Sequence, residues 1–129
     1  MGSSRPGEER FYALEFDHRD DLIDYDFASA LLGGDTPGVP VEHPLFVVCT
    51  HGKRDRCCAK YGRPLYDQLK GKVDPQWVWQ STHVGGDRFA GNVVLLPEGL
   101  FFGRVGEEGL DPILDDYFEG RVNLERFRG

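Results

Sequence analysis

The stretch that decides the reading is Leu45-Phe46-Val47-Val48-Cys49-Thr50-His51-Gly52-Lys53-Arg54-Asp55-Arg56-Cys57-Cys58. Its first part is a short apolar run rich in β-branched residues, which predicts a buried strand over Leu45–Thr50. The segment from Cys58 to Leu69 predicts a helix. Leu65 and Leu69, four apart, give it a core face. Gly62 and Pro64 predict a kink or a late start, with Pro64–Lys70 as its firm part. All three cysteines of the chain therefore fall at a strand-to-helix turn, at the carboxyl end of a strand, where α/β folds place their chemistry. About twenty-five residues later comes a second loop of similar character, Thr82-His83-Val84-Gly85-Gly86-Asp87-Arg88-Phe89-Ala90-Gly91-Asn92. The two loops are expected to meet.

Working outward, Arg10–Phe16 alternates loosely and predicts a first strand. Asp17–Asp21 reads as a polar connection. Asp24 or Asp26 is placed to cap a short helix with Phe27, Ala30 and Leu31, ending at Gly33-Gly34. The proline- and glycine-rich stretch Asp35–Pro44 reads as a loop. After an Asp74-Pro75 turn, Trp77–Ser81 predicts a third strand. Val93–Leu96 and Leu100–Val105, joined by Pro97-Glu98-Gly99, predict a hairpin. Asp111-Pro112 marks a helix start, with Ile113, Leu114, Tyr117 and Phe118 on its apolar face. Val122, Leu124 and Phe127 of the last segment are expected to pack back. This order predicts an α/β, thioredoxin-like single domain over residues 10–129. It would have a central mixed sheet, helices on both faces, and a C-terminal hairpin plus helix. Residues 1–9 read as a disordered tail.

Composition narrows the function. With 129 residues, one domain and a real core are expected. A net charge of −7 argues against nucleic acid as a general partner and suits docking on a basic partner patch. No stretch approaches the ~18 apolar residues of a membrane span, and Met1–Glu9 lacks the apolar core of a signal peptide. Three cysteines, two adjacent, make a poor disulfide framework and suit a reducing cytoplasm.

The loops hold an inventory of ligands. Cys49 and Cys58 are nine apart, with Cys57 competing for the second place; His83 and Asp87 are four apart. Four such groups can bind one metal centre. Lys53, Arg54, Arg56, Lys60 and Arg63 surround the cysteines with a single acid, Asp55, an environment that stabilises thiolates. Cys57 is equally readable as a packing residue. His51 reads as a loop hydrogen-bonder, and His18 and His43 as solvated.

Cys49–Leu65, then His-Val-Gly-Gly-Asp-Arg-Phe-Ala at His83–Ala90, then Leu-Pro-Glu-Gly-Leu-Phe-Phe-Gly-Arg at Leu96–Arg104, resemble the sucrase/ferredoxin-like family. The likeness runs from about Phe11 to the end. It implies a thioredoxin-like ferredoxin, a one-electron carrier whose [2Fe-2S] cluster is held by two cysteines and two histidines and which serves a redox partner protein. Carried over, the metal ligands are Cys49, Cys58 and His83, and Asp87 stands where the family has its second histidine. Lys53, Arg54, Arg56, Gly85, Gly86 and Arg88 would surround the cofactor. Two rival readings use the same residues. Cys49-Thr50-His51-Gly52-Lys53-Arg54 also resembles the persulfide loop of rhodanese-like sulfurtransferases, with Cys49 as the reactive thiol. A metal-free thioredoxin-like binding module is the third.

Overall fold

The computed structural model describes residues 1–3, 7, 9–32, 38–53 and 56–129, with the side chains of Ser3, Leu31, Leu32 and Asp87 left aside. At its centre is β4 (Leu45–Cys49), an apolar strand with Phe46 and Val48 buried on one face and Leu45 and Cys49 on the other. It pairs in parallel with β5 (Val78–Ser81) and antiparallel with β6 (Val93–Leu96). The latter turns through Pro97–Gly99 into β7 (Leu100–Phe102), so the sheet order is β5-β4-β6-β7. The parallel pair is linked by α3 (Arg56–Lys72). The final helix, α4 (Glu107–Phe118), lies beside it. Leu65 and Leu69 of α3 and Leu110, Ile113 and Leu114 of α4 close one core against Phe46, Val48, Val93, Leu95 and Phe102.

The N-terminal part forms a separate layer. Three short strands, β1 (Gly2–Ser3), β2 (Arg10–Ala13) and β3 (Val39–Pro40), make a small antiparallel sheet, accompanied by α1 (Arg19–Asp24) and α2 (Phe27–Leu32). Leu22 of α1 and Phe27 of α2 face Leu45 and Trp79 across an apolar cleft of about 650 Å³. Strand alternation turns Leu45 and Trp79 away from α3 and α4, so helices border the central sheet on both faces.

Several sequence expectations need correction. The first strand stops at Ala13 and lies outside the central sheet. Part of the expected tail is a strand, with Gly2 opposite Phe11 and the Met1 amino group donating to the Tyr12 carbonyl. The expected connection 17–21 contains the start of α1, where the His18 N–H donates to Asp21, and the expected loop 35–44 contains β3. Asp26 caps α2 as anticipated, accepting from the Ser29 N–H and hydroxyl, which holds its carboxyl below the usual range. The Gly33-Gly34 stop lies outside the described residues. Helix α3 begins at Arg56 rather than late, and α4 begins at Glu107 rather than Asp111. His43 is not merely solvated: it stacks on Trp77 at 5.3 Å. Residues 126–129 run antiparallel beside β7, with Phe127 edge-on to Phe102, while Leu124 stays exposed.

Candidate metal centre

The geometry of the site begins with a glycine. Along α3 the buried residues are Cys58, Gly62, Leu65 and Leu69, one stripe at helical spacing. At Gly62 the helix rests directly on the end of β4. A Cβ there would stand 2.0 Å from the Cys49 carbonyl oxygen. This close approach brings Cys58, one turn earlier, over Cys49. Successive helical residues diverge by about 100°, so only one cysteine of the adjacent pair can face inward. Cys58 does so and is buried; Cys57 is exposed. The expectation that Cys57 is a packing residue is thereby corrected. Cys58 also sits in the first turn of α3, where the unsatisfied backbone amides favour negative charge.

His83 arrives from the carboxyl end of β5, beside β4. Its Nδ1 lies 3.8 Å from the Cys58 sulfur. The donor atoms of Cys49, Cys58 and His83 all lie within 4.8 Å of one another. Two thiols and an imidazole are a donor set for zinc or iron–sulfur chemistry. The 3.8 Å sulfur–nitrogen separation is a little wider than the edge of a tetrahedron around one ion, about 3.5 Å for a metal–sulfur bond near 2.3 Å and a metal–nitrogen bond near 2.0 Å.

A second brace was not recognised in the sequence. Asn92 is fully buried. Its Nδ2 donates to the carbonyls of Gly85 and Gly86 (3.4 and 3.2 Å), its Oδ1 accepts from Arg128 (3.2 Å), and its carbonyl accepts from the Cys49 N–H (3.1 Å). One residue thus ties the second loop to the strand that presents Cys49. Both glycines have positive φ, 86° and 75°, where a side chain is strained, so this turn requires the Gly-Gly pair. The only sequence signal for Asn92 was a polar residue heading the apolar run of β6.

The remaining expected site residues are dispersed. Lys53 and Arg56 are exposed, the first in the turn after β4 and the second opening α3. Arg54 lies outside the described residues. The Asp87 backbone begins a 3-10 turn, Asp87–Phe89, four positions after His83; its side chain is outside the described set. Arg88 is exposed, its guanidinium 4.9 Å from the Phe89 ring. His51 is half-buried and not part of the thiol–imidazole group. Cys49 is 1% exposed, and the Thr50 N–H is engaged by the Ser81 carbonyl. Among the described residues, no helix is long and apolar enough to cross a membrane.

The fold is similar to that of the thioredoxin-like [2Fe-2S] ferredoxin from Aquifex aeolicus. The wild-type structure superposes with a TM-score of 0.58 at 19% identity, covering 69% of this chain and 99% of that one. A cysteine-to-serine variant of the same ferredoxin gives 0.59, covering 67% and 99%. In sequence, the chain is 35% identical over 95 residues to "Altered inheritance of mitochondria protein 32" of Meyerozyma guilliermondii, covering 66% of this chain and 34% of that protein. It is 33% identical over 95 residues to the protein of that name from Debaryomyces hansenii, covering 66% and 35%. The chain thus spans about a third of the length of these relatives. The family model for sucrase/ferredoxin-like proteins matches residues 10–129, nearly the whole chain and both loops, and the protein belongs to the sucrase/ferredoxin-like family.

Proposed function

We propose that this chain is a one-electron carrier that holds a [2Fe-2S] cluster between its two loops. The observation that supports this most is the convergence of Cys49, Cys58 and His83, from β4, α3 and the loop after β5, with donor atoms within 4.8 Å. The donor chemistry fits such a group: thiolates are the usual cluster ligands, and histidine replaces cysteine where the potential is higher. When bound, the cluster supplies reversible one-electron chemistry. The protein supplies the rest. Cys49 and Cys58 would hold the cluster as thiolates and His83 through its imidazole, with Asp87 as the fourth ligand. Lys53, Arg54, Arg56 and Arg88 offset the negative charge of the thiolates and carboxylate. Gly85 and Gly86 set the turn that presents Asp87.

In this reading, residues 10–129 are one domain acting in the cytoplasm with a redox partner protein. Burial of Cys49 and engagement of the Thr50 amide weigh against a rhodanese-like nucleophile, which needs an accessible sulfur. The test is to purify the protein without air, record the visible spectrum, and assay iron and acid-labile sulfide. Two of each per chain are expected, with loss in Cys49→Ser and Cys58→Ser and retention in Cys57→Ser. A colourless protein, or full metal in Cys49→Ser, would overturn the reading.

A further inference from the structure

Three guanidiniums converge on one ring. Arg128, Arg88 and Arg104 lie 4.0, 4.9 and 5.0 Å from the centroid of Phe89. Among the described residues none of the three forms an ion pair with a carboxylate. Arg104 is also the one described non-glycine residue with positive φ, 55°. Two hydrogen bonds hold it there: its N–H donates to the Phe89 carbonyl (2.9 Å), and its carbonyl accepts from the Arg126 guanidinium (3.0 Å). A left-handed backbone is costly for a residue with a side chain, and such strain clusters where ligands bind.

Arg88 and Arg104 line a cleft of about 420 Å³, whose other walls include Cys57, Tyr61, Ala90 and Gly106. An adjoining cavity shares Tyr61, Val105 and Gly106 and adds Lys60, with Glu107 on its wall. The acids next to these residues in the chain are Glu107 and Glu108, which open α4, and Asp87, which precedes Arg88. The rest of the molecule is acidic, with a net charge of −7. An acidic surface is therefore repelled by the molecule as a whole and attracted at Arg88 and Arg104, a field that orients a partner before contact. The cations Arg88, Arg104 and Lys60 are spread over two adjoining cavities, which suits an extended acidic surface, and the cleft wall carries Cys57, the neighbour of Cys58.

We propose that the Arg88–Arg104 cleft is the docking site for an acidic surface of the redox partner, with partner carboxylates seated between the two guanidiniums. The proposal rests on the electron-carrier reading for the partner's role, and it reverses the expectation that the acidic chain docks on a basic patch. Paired, planar N–H forks suit carboxylates. Docking there would bring the partner beside the turn that holds the metal ligands.

The test uses fluorescein-labelled hexaglutamate and the purified protein, read by anisotropy. Binding should weaken as ionic strength rises from about 0.01 to 0.15 M, where the Debye length falls from about 30 to 8 Å. Arg88→Gln, and Arg104→Asn, which tolerates the left-handed backbone, should each weaken it at least about tenfold. Arg121→Gln should not, since Arg121 pairs with Asp116 and Glu119 elsewhere. Bound peptide should also slow alkylation of Cys57 by iodoacetamide, read by mass spectrometry. Equal affinity in both cleft variants, or unprotected Cys57, overturns the proposal. Citrate shielding Cys57 as well as the peptide replaces the protein partner by a small anion and also overturns it. Visible spectra of the same samples separate the two readings. Peptide docking on a colourless protein sinks the electron-carrier reading and upholds the docking surface. A coloured protein that ignores the peptide does the reverse.

Discussion

Substituting Gly62 by alanine tests how the centre is built. Alanine is the better helix former, by roughly 0.5–1 kcal/mol, so helix propensity alone predicts stabilisation. The structure predicts the opposite. The new methyl would start 2.0 Å from the Cys49 oxygen and 3.0 Å from its carbonyl carbon. Contacts under 3.0 Å are essentially never seen for a Cβ, so α3 must retreat from β4 by about 1 Å or more. Overpacking of this kind costs about 1–3 kcal/mol and occasionally more, which exceeds the propensity gain. Cys58 sits one turn away and retreats with the helix, from a group whose donors span only 4.8 Å. Gly71, in the same helix with nothing within 4 Å of an added Cβ, is the internal control. Urea titration at constant slope reads stability, and bound metal reads the centre. Gly71→Ala should shift the midpoint upward and keep its metal; Gly62→Ala should shift it downward and lose metal. A Gly62→Ala protein as stable as Gly71→Ala, with full metal, would refute the close-approach argument.

Asn92→Ala removes the donor to two carbonyls and the acceptor for Arg128; it should cost about 1–3 kcal/mol and weaken metal retention. An unchanged urea midpoint would refute its bracing role. The Tyr117 hydroxyl donates to Glu98 (2.9 Å), and burial, then that bond, push its pKa well above the ordinary phenol value. A raised folded-state pKa gives stability that is present below the unfolded value near 10 and lost as pH rises through the folded one. Native protein should therefore lose stability from about pH 9 to 11 more steeply than Tyr117→Phe, and equal slopes in urea midpoints would count against it. In the cluster-bearing protein, Asp87→His should raise the reduction potential on the order of a hundred millivolts and make it pH-dependent, because imidazole removes a negative ligand and takes up a proton. An unchanged potential by spectroelectrochemistry would remove Asp87 from the ligand set.

The central sheet was legible because its strands are dense apolar runs bounded by turn residues: Leu45–Cys49 and the hairpin strands declare themselves without tertiary context. The start of α3 was not, because Gly62 and Pro64 look like helix breakers. Gly62 is there for close packing, which propensity cannot express. Pro64 is accommodated within the helix. At α4 the Asp111-Pro112 pair imitated a helix start, whereas the true start follows Gly106, with Glu107 and Glu108 in the first turn to complement the helix dipole. Of the small N-terminal sheet only β2 left a periodic signal, since β1 and β3 are two residues each. In the centre, Cys49, Cys58 and His83 were legible from residue type and family likeness. Which of Cys57 and Cys58 faces inward was a question of helix phase. The role of Asn92 required knowing that the second loop and the strip at 126–129 reach the same buried side chain.

That strip imposes an order on assembly. Arg128 bonds to Asn92 across 36 positions, and Gly103 and Phe101 of the β7 region donate to the carbonyls of Arg126 and Gly129. At roughly 5–20 residues per second, Arg128 is made about 2–7 s after Asn92. For that interval Asn92 lacks the Arg128 bond, and the open edge of β7 has no neighbour. The loop that bears His83 therefore completes its ties only when the end of the segment has docked. On the proposed reading, a centre braced in this way would be ready to take up its metal only after this region is made.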